Sequence, residues 1–291
     1  MLNAIDVSHH NMPSKLDWAG MRKAGLDLCI VRLTYGTMKD RAAKEHVRLA
    51  RDNGCAIGAY HFARFVEPAM EQCVAFWEAA EAVGYGRPED MIPALDVEDD
   101  TASRPIGPEH APFFEECAGL FKNWRSQGAY IYITQRDWGR IGKPAWVLEM
   151  PLWVAHYSAP SRLEPATPNG MPWAIWQHRV GPFMVDGPSG YDKERPLLDQ
   201  NRVRKLHFFN GEDMTFEDER DEEFRMPPDE DGTEELRGER LDAWIRAEAT
   251  EPAITSSHDL LRAARDQQMR AELDTLDEEP ESDRDPEGNN A

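Results

Sequence analysis

Along residues 1–206, short apolar runs alternate with helix-like stretches, and most of the runs end in polar or aromatic side chains. That alternation narrows the fold more than any other feature. The runs lie at 2–8, 28–35, 56–62, 92–100, 129–134, 152–157 and 173–177, while 39–53, 68–83 and 108–126 read as helices. Strands separated by helices predict parallel pairing through crossover connections. Past residue 128 the helical stretches thin out while strands continue. The expected fold is therefore α/β, a modified TIM-like (β/α) barrel with fewer helices in its second half. In such barrels the chemistry sits at the C-terminal ends of the strands.

The run 92–100, reading IPALDVEDD, places Asp96 and Glu98 two residues apart directly after apolar residues. In a strand, side chains alternate between faces, so the two acids share a side with Cα atoms about 6.5 to 7 Å apart. Cleavage of a glycosidic bond needs a carboxyl group that donates a proton to the leaving oxygen, and an anion that stabilises positive charge at the sugar. Close acids divide these roles, because like charges resist simultaneous ionisation and one pKa rises.

Charge divides the chain. Residues 1–206 carry 24 Lys/Arg and 26 Asp/Glu, a net of −2, whereas 207–291 carry 9 and 28, a net of −19. The barrel is expected over 1–206 and an acidic, partly helical or disordered extension over 207–291. Residues 212–231 read as a solvated linker containing Pro227 and Pro228, and 233–249 and 260–276 as helix candidates, the first bearing Trp244 and Ile245. Such acidity repels nucleic acid and anionic lipid, so neither is expected as a partner.

The segments IDVSHHN at 5–11, VRLTYGT at 31–37, GAYHFAR at 58–64 and PALDVED at 93–99 continue with YIYIT at 130–134, PLWVAHY at 151–157, WAIWQH at 173–178 and LDQNRV at 198–203. In this order they resemble glycoside hydrolase family 25, the N-acetylmuramidases of bacteria and their phages. The resemblance implies a lysozyme that hydrolyses the β-1,4 bond between N-acetylmuramic acid and N-acetylglucosamine in bacterial peptidoglycan, without metal or organic cofactor. It implies Glu98 as the general acid. Asp96 is implied to orient and polarise the substrate's N-acetyl group, or to stabilise the oxocarbenium-like state directly. Asp6 and Asp199 match the remaining acids of the family's cleft, implied to set the charge and hydrogen bonding of the central pair. Neighbouring-group attack by the acetamide is one retaining route.

Sugar rings pack their C–H faces on aromatic planes. Tyr60, Tyr132, Trp153, Tyr157 and Trp176 occupy family-like positions near strand ends and are candidate substrate contacts, with Tyr60 and Tyr157 foremost; Arg32 joins them. The chain departs from the family in having Arg32 where Lys is common, Asn11 for Gln, His178 for Tyr, and a Gly/Pro-containing insertion at 181–196. These departures bear on substrate detail and leave the four acids in place.

His9 and His10 adjoin an Asp-containing strand, but neighbouring strand residues face opposite ways, so no metal site is expected. Cys29, Cys55, Cys73 and Cys117 form no C-x-x-C pair and are expected reduced and buried. No run approaches the roughly 20 apolar residues that span a membrane, and the first strand leaves no room for a signal peptide. A phage endolysin held in the host cytoplasm until a holin opens the membrane, or a virion-associated lysin, fits this pattern. The competing expectation is a non-catalytic glycan-binding or structural phage protein on the same barrel.

Overall fold

The computed structural model describes residues 1–101, 103–123, 128–157, 164–181, 183, 197–209 and 211–216. Its centre is a closed eight-stranded barrel: β1 (Leu2–Val7), β2 (Leu26–Tyr35), β4 (Ala56–Phe62), β5 (Ala94–Asp96), β6 (Tyr130–Tyr132), β7 (Leu152–Ala155), β8 (Trp173–Gly181) and β9 (Leu198–Val203), closed by pairing of β1 with both β2 and β9. The short β3 (Met38–Lys39) folds back on β2 as a hairpin. Pairing is parallel from β1 through β8, and β9 runs antiparallel to both of its neighbours.

The strands read as unbroken apolar runs because parallel strands are covered on both faces. In β2, every residue from Leu28 to Thr34 is buried. Helices α1 (Trp18–Lys23), α2 (Ala43–Asp52), α3 (Ala69–Val83), α4 (Ala111–Asn123) and α5 (Gln135–Arg140) lie in the first two thirds of the chain. Their ends follow local chemistry. The Asp17 side chain accepts from Gly20 N at 2.9 Å to start α1, and Thr134 Oγ1 accepts from Asp137 N at 3.0 Å to start α5, each satisfying a donor that the first turn leaves open. Gly84, at φ 67°, ends α3 in the left-handed conformation that glycine adopts without steric cost. Beneath α3 and α4, Phe76, Phe114 and Phe121 are fully buried against the sheet.

The expected strand and helix alternation holds. The short helices α1 and α5 fall within stretches whose periodicity is too brief to mark them. The run at 92–100 is regular strand only over Ala94–Asp96, although Val97 N still bonds to Tyr132 O at 2.9 Å.

The folded unit continues past residue 206. β10 (Lys205–His207) pairs with β11 (Asp213–Thr215), Leu206 and Phe209 are buried, and Phe208 bridges to Met91. The insertion expected at 181–196 lies outside the described residues except for Gly181 and Phe183. The linker beyond 216, the helix candidates at 233–249 and 260–276, and Trp244 and Ile245 also lie outside the described residues.

All four cysteines are free and buried. Among the described residues, no helix is long and apolar enough to cross a membrane. His9 and His10 sit in the turn after β1 rather than on a strand, with ring centroids 4.0 Å apart. The opposite-face argument does not apply to them. Among the described residues, no group of three or more His, Cys, Asp or Glu is arranged to hold a metal ion.

Candidate active site

At the C-terminal end of the parallel strands, side chains from β1, β6, β7, β8 and β9 meet in one hydrogen-bonded network. Asp6, near the end of β1, stands in register with Asp199 at the start of β9. The reversal of β9 is what brings an acid from the beginning of one strand beside an acid from the end of another. Buried Asp6 accepts through Oδ2 from Gln177 Nε2 at 2.7 Å and from Asn201 Nδ2 at 2.8 Å. One carboxylate oxygen thus ties β8 and β9 to β1.

The network extends outward from these amides. Asn201 Oδ1 accepts from Trp153 Nε1 at 2.8 Å, and Gln177 Oε1 accepts from the Tyr132 hydroxyl at 2.9 Å and from the Tyr157 hydroxyl. The Tyr157 oxygen also lies 3.3 Å from Asp199 Oδ1, within reach of the same proton. Each amide has one orientation in which its nitrogen faces Asp6 and its oxygen faces a ring donor, so the network fixes both.

Asp96, buried at the end of β5, is in register with Phe62 of β4 and Tyr132 of β6. Glu98 follows two residues later and is half-buried. Tyr132 ties the acids together electrostatically. Burial, then the negative charges of Glu98, Asp96, Asp6 and Asp199 in that order, push its phenol well above its ordinary value. The hydroxyl therefore stays protonated and serves as a donor. The charges of all four acids expected from sequence act on this one group.

The aromatic candidates separate by role. Tyr132 and Tyr157 present hydroxyls and Trp153 its ring N–H to the network, whereas buried Tyr60 meets Trp153 edge-on at 5.9 Å, and Tyr132 meets Trp153 edge-on at 5.0 Å. Trp176 is not brought to the acids. It precedes Gln177 on β8 and alternation turns it to the opposite face, where its Nε1 donates to His156 O at 3.1 Å and its ring meets Trp173 edge-on at 5.8 Å. Arg32 is buried and committed within the protein: its Nε donates to Asp40 Oδ2 at 2.9 Å and a second nitrogen meets His9 Nδ1. Burial pushes the Asp40 carboxyl up, but the His9 hydrogen bond, the Arg32 charge and the backbone N–H groups of Ala42 and His9 outweigh it and hold the carboxyl well below the usual range. His61 likewise faces the helices, stacked on Phe121 with Nδ1 2.7 Å from Thr34 Oγ1.

Sequence reasoning passed over Gln177 and Asn201, although each carried a signal. Asn201 lies two residues past Asp199 in LDQNRV and so shares its face of β9; Gln177 lies in the motif that follows β7. It also passed over Asp40, whose role depends on a partner in β2 eight residues away.

A closed, mostly parallel barrel with carboxylates where its parallel strands end places this chain among barrel proteins whose chemistry sits at that end. Comparison narrows the class. The model of the family described as glycosyl hydrolases family 25 matches residues 5–182, and the chain belongs to this family. It is a glycoside hydrolase.

Solved structures agree on the fold. A family 25 glycosyl hydrolase from Bacillus anthracis superposes with a TM-score of 0.58 at 18% identity, over 77% of this chain and 92% of that one. A bacterial lysozyme from Streptomyces coelicolor gives 0.56 at 24% identity, over 69% and 91%. A muramidase from Acremonium alcalophilum gives 0.54 at 23% identity, over 70% and 93%. A search of curated proteins found no match.

Proposed function

We propose that this chain is an N-acetylmuramidase that cleaves the β-1,4 bond between N-acetylmuramic acid and N-acetylglucosamine in bacterial peptidoglycan. One hydrogen-bonded network that joins Asp6 through Gln177 to Tyr132, with Asp199 in register beside Asp6 and Asp96 in register beside Tyr132, is the observation that carries this reading. Structural neighbours described as a lysozyme and a muramidase support it. Glu98, half-buried just past the end of β5, donates its proton to the glycosidic oxygen as the bond to the anomeric carbon breaks. Asp96 aligns the substrate's acetamido group, whose carbonyl oxygen attacks that carbon. Water then opens the resulting ring, returning a proton to Glu98 and retaining configuration. Asp6 and Asp199, held by Gln177, Asn201 and Tyr157, keep the floor of the cleft negative beneath the developing oxocarbenium charge.

The test is reducing-end release from purified peptidoglycan, with product masses, for the intact chain, Glu98→Gln and Asp96→Asn. Muramic acid ends from the intact chain that collapse in Glu98→Gln support the reading. A folded intact chain that binds wall and releases nothing favours a glycan-binding protein on the same barrel.

The finer reading is a phage endolysin that waits in the host cytoplasm, or else a virion-associated lysin carried on the particle. Four buried, unbridged cysteines suit a reducing compartment. Expression in the cytoplasm should be harmless to the host until a holin is co-expressed, and lysis without one would count against it.

A further inference from the structure

We propose that Asp100 is a positioning residue for Glu98: with Asp99 it clamps the segment that carries the general acid to the ends of neighbouring strands. This rests on the reading of Glu98 as the acid. Glu98 lies beyond the last regular residue of β5, so strand pairing stops short of it. The two residues that follow take over. The Asp100 carboxylate has no exposed surface and accepts from Arg64 Nε at 2.7 Å, Arg104 Nη1 at 3.0 Å and the Tyr35 hydroxyl at 3.1 Å. Tyr35 also lies 3.3 Å from the Asp100 carbonyl oxygen, and the Arg64 guanidinium sits 4.7 Å over the Tyr35 ring.

Asp99 holds the other side. It accepts from Ile106 N at 2.8 Å and from Arg140 Nη1 at 2.8 Å, Arg140 being the last residue of α5. Glu98 is thus followed by two anchors, one tied to the end of β2 and the turn after β4, the other to α5. Arg64 is itself fixed, since its backbone N–H donates to Gln72 Oε1 at 2.9 Å and its side chain pairs with Glu67. Glu67 accepts in turn from Thr37 N at 2.7 Å, which locks the β2–β3 hairpin to the same frame.

The clamp is suited to an acid that must protonate and deprotonate. Burial raises the Asp100 carboxyl, but the Arg64 hydrogen bond and charge, with Arg104 and Tyr35, outweigh it and leave it below its ordinary value. The ionised Asp100 carboxylate is the form that these three donors hold. A displacement on the order of 1 Å in a catalytic group costs roughly a hundredfold in rate, which sets the size of the expected effect.

Three variants of the full chain test this, Asp100→Ala, Asp100→Asn and Arg64→Lys, with Asp90→Asn as a control. Asp90 is equally buried and ion-paired, to Arg51 at 2.7 Å, but touches none of the residues above. The measurements are kcat and KM for release of reducing ends from solubilised peptidoglycan, Tm, and amide exchange at Val97 to Asp100. Asp100→Ala should lose about 30- to 100-fold in kcat with KM within about threefold. Exchange should quicken at Val97 to Asp100 and stay unchanged in β1 and β9. Asp100→Asn and Arg64→Lys, which keep part of the hydrogen bonding, should recover part of kcat. Asp90→Asn should lower Tm and leave kcat unchanged.

Unchanged kcat in folded Asp100→Ala or Asp100→Asn overturns the proposal, as does a kcat loss of the same size in Asp90→Asn. If the intact chain releases no reducing ends, the muramidase reading fails. The exchange data then decide the clamp by themselves, and unaltered exchange at Val97 to Asp100 overturns it.

Discussion

Gln177 Nε2 donates to Asp6 Oδ2 at 2.7 Å, joining the strand before the barrel's seam to the strand after it through one side chain. The same amide receives the Tyr132 and Tyr157 hydroxyls on its oxygen. Replacing it with Glu sets a carboxyl against a carboxylate while keeping the shape. Gln177→Glu should lower kcat at least about tenfold at neutral pH, because one carboxyl of the new pair is held protonated and the network loses its polarity. A pH–rate profile checks this: the variant's activity should shift along the pH axis, whereas Gln177→Ala should lose activity without such a shift.

Removing the proton donor has a different signature. Glu98→Gln should cut turnover by about 10² to 10⁴ fold, with Tm unchanged, since the side chain is half-buried and the substitution isosteric. Asp96→Asn should lower kcat while wall binding persists. Binding to purified wall sediment, measured beside reducing-end release, separates the two effects.

Arg32 and Asp40 form a buried pair whose single-sided removal leaves a charge without its partner. Arg32→Ala should destabilise the fold by about 3 to 5 kcal/mol, read from urea unfolding. The double variant Arg32→Met with Asp40→Leu should be less destabilised than Arg32→Ala alone. Equal losses in both would show that packing, rather than the stranded carboxylate, dominates.

His61 ties stability to acid. It is fully buried, and desolvation pushes its pKa down to about 3 from an ordinary value of 6.5. Between these values the unfolded chain binds a proton that the folded one does not, so stability rises with pH across this window. The contribution is complete above pH 6.5 and is lost as pH falls toward 3. At about 1.4 kcal/mol per unit, the loss amounts to a few kcal/mol. Urea unfolding of His61→Leu at a series of pH values should show a shallower fall over this range than the parent chain.

The limits of sequence reading follow from the geometry of these same residues. Asp96 and Glu98 drew attention as two acids spaced i and i+2 after an apolar run, although regular strand stops at Asp96 and the alternation rule does not itself reach Glu98. The same rule, applied to β8, separates Trp176 from Gln177, but only once register shows which of the two faces the lumen. Arg32 and Asp40 were harder. A charged residue inside an apolar strand reads equally as a ligand contact or as half of a buried pair, and the partner lies across a hairpin turn. The continuation of the barrel unit through β10 and β11 was hidden for another reason. Those strands are three residues each, β11 is exposed throughout, and β10 buries only Leu206, so neither shows a hydrophobic period long enough to read.

The reversed direction of β9 has a consequence for where the barrel accepts added chain. β8 ends at Gly181 and β9 begins at Leu198, and Asp199 follows at once. Both ends of this connection are anchored at the rim where the acids gather, while the pairing of Gly181 with Leu198 fixes the separation of the two ends. A connection of any length that rejoins at Gly181 and Leu198 keeps Asp199 in register with Asp6, so the fold tolerates insertion here without loss of the acids' alignment.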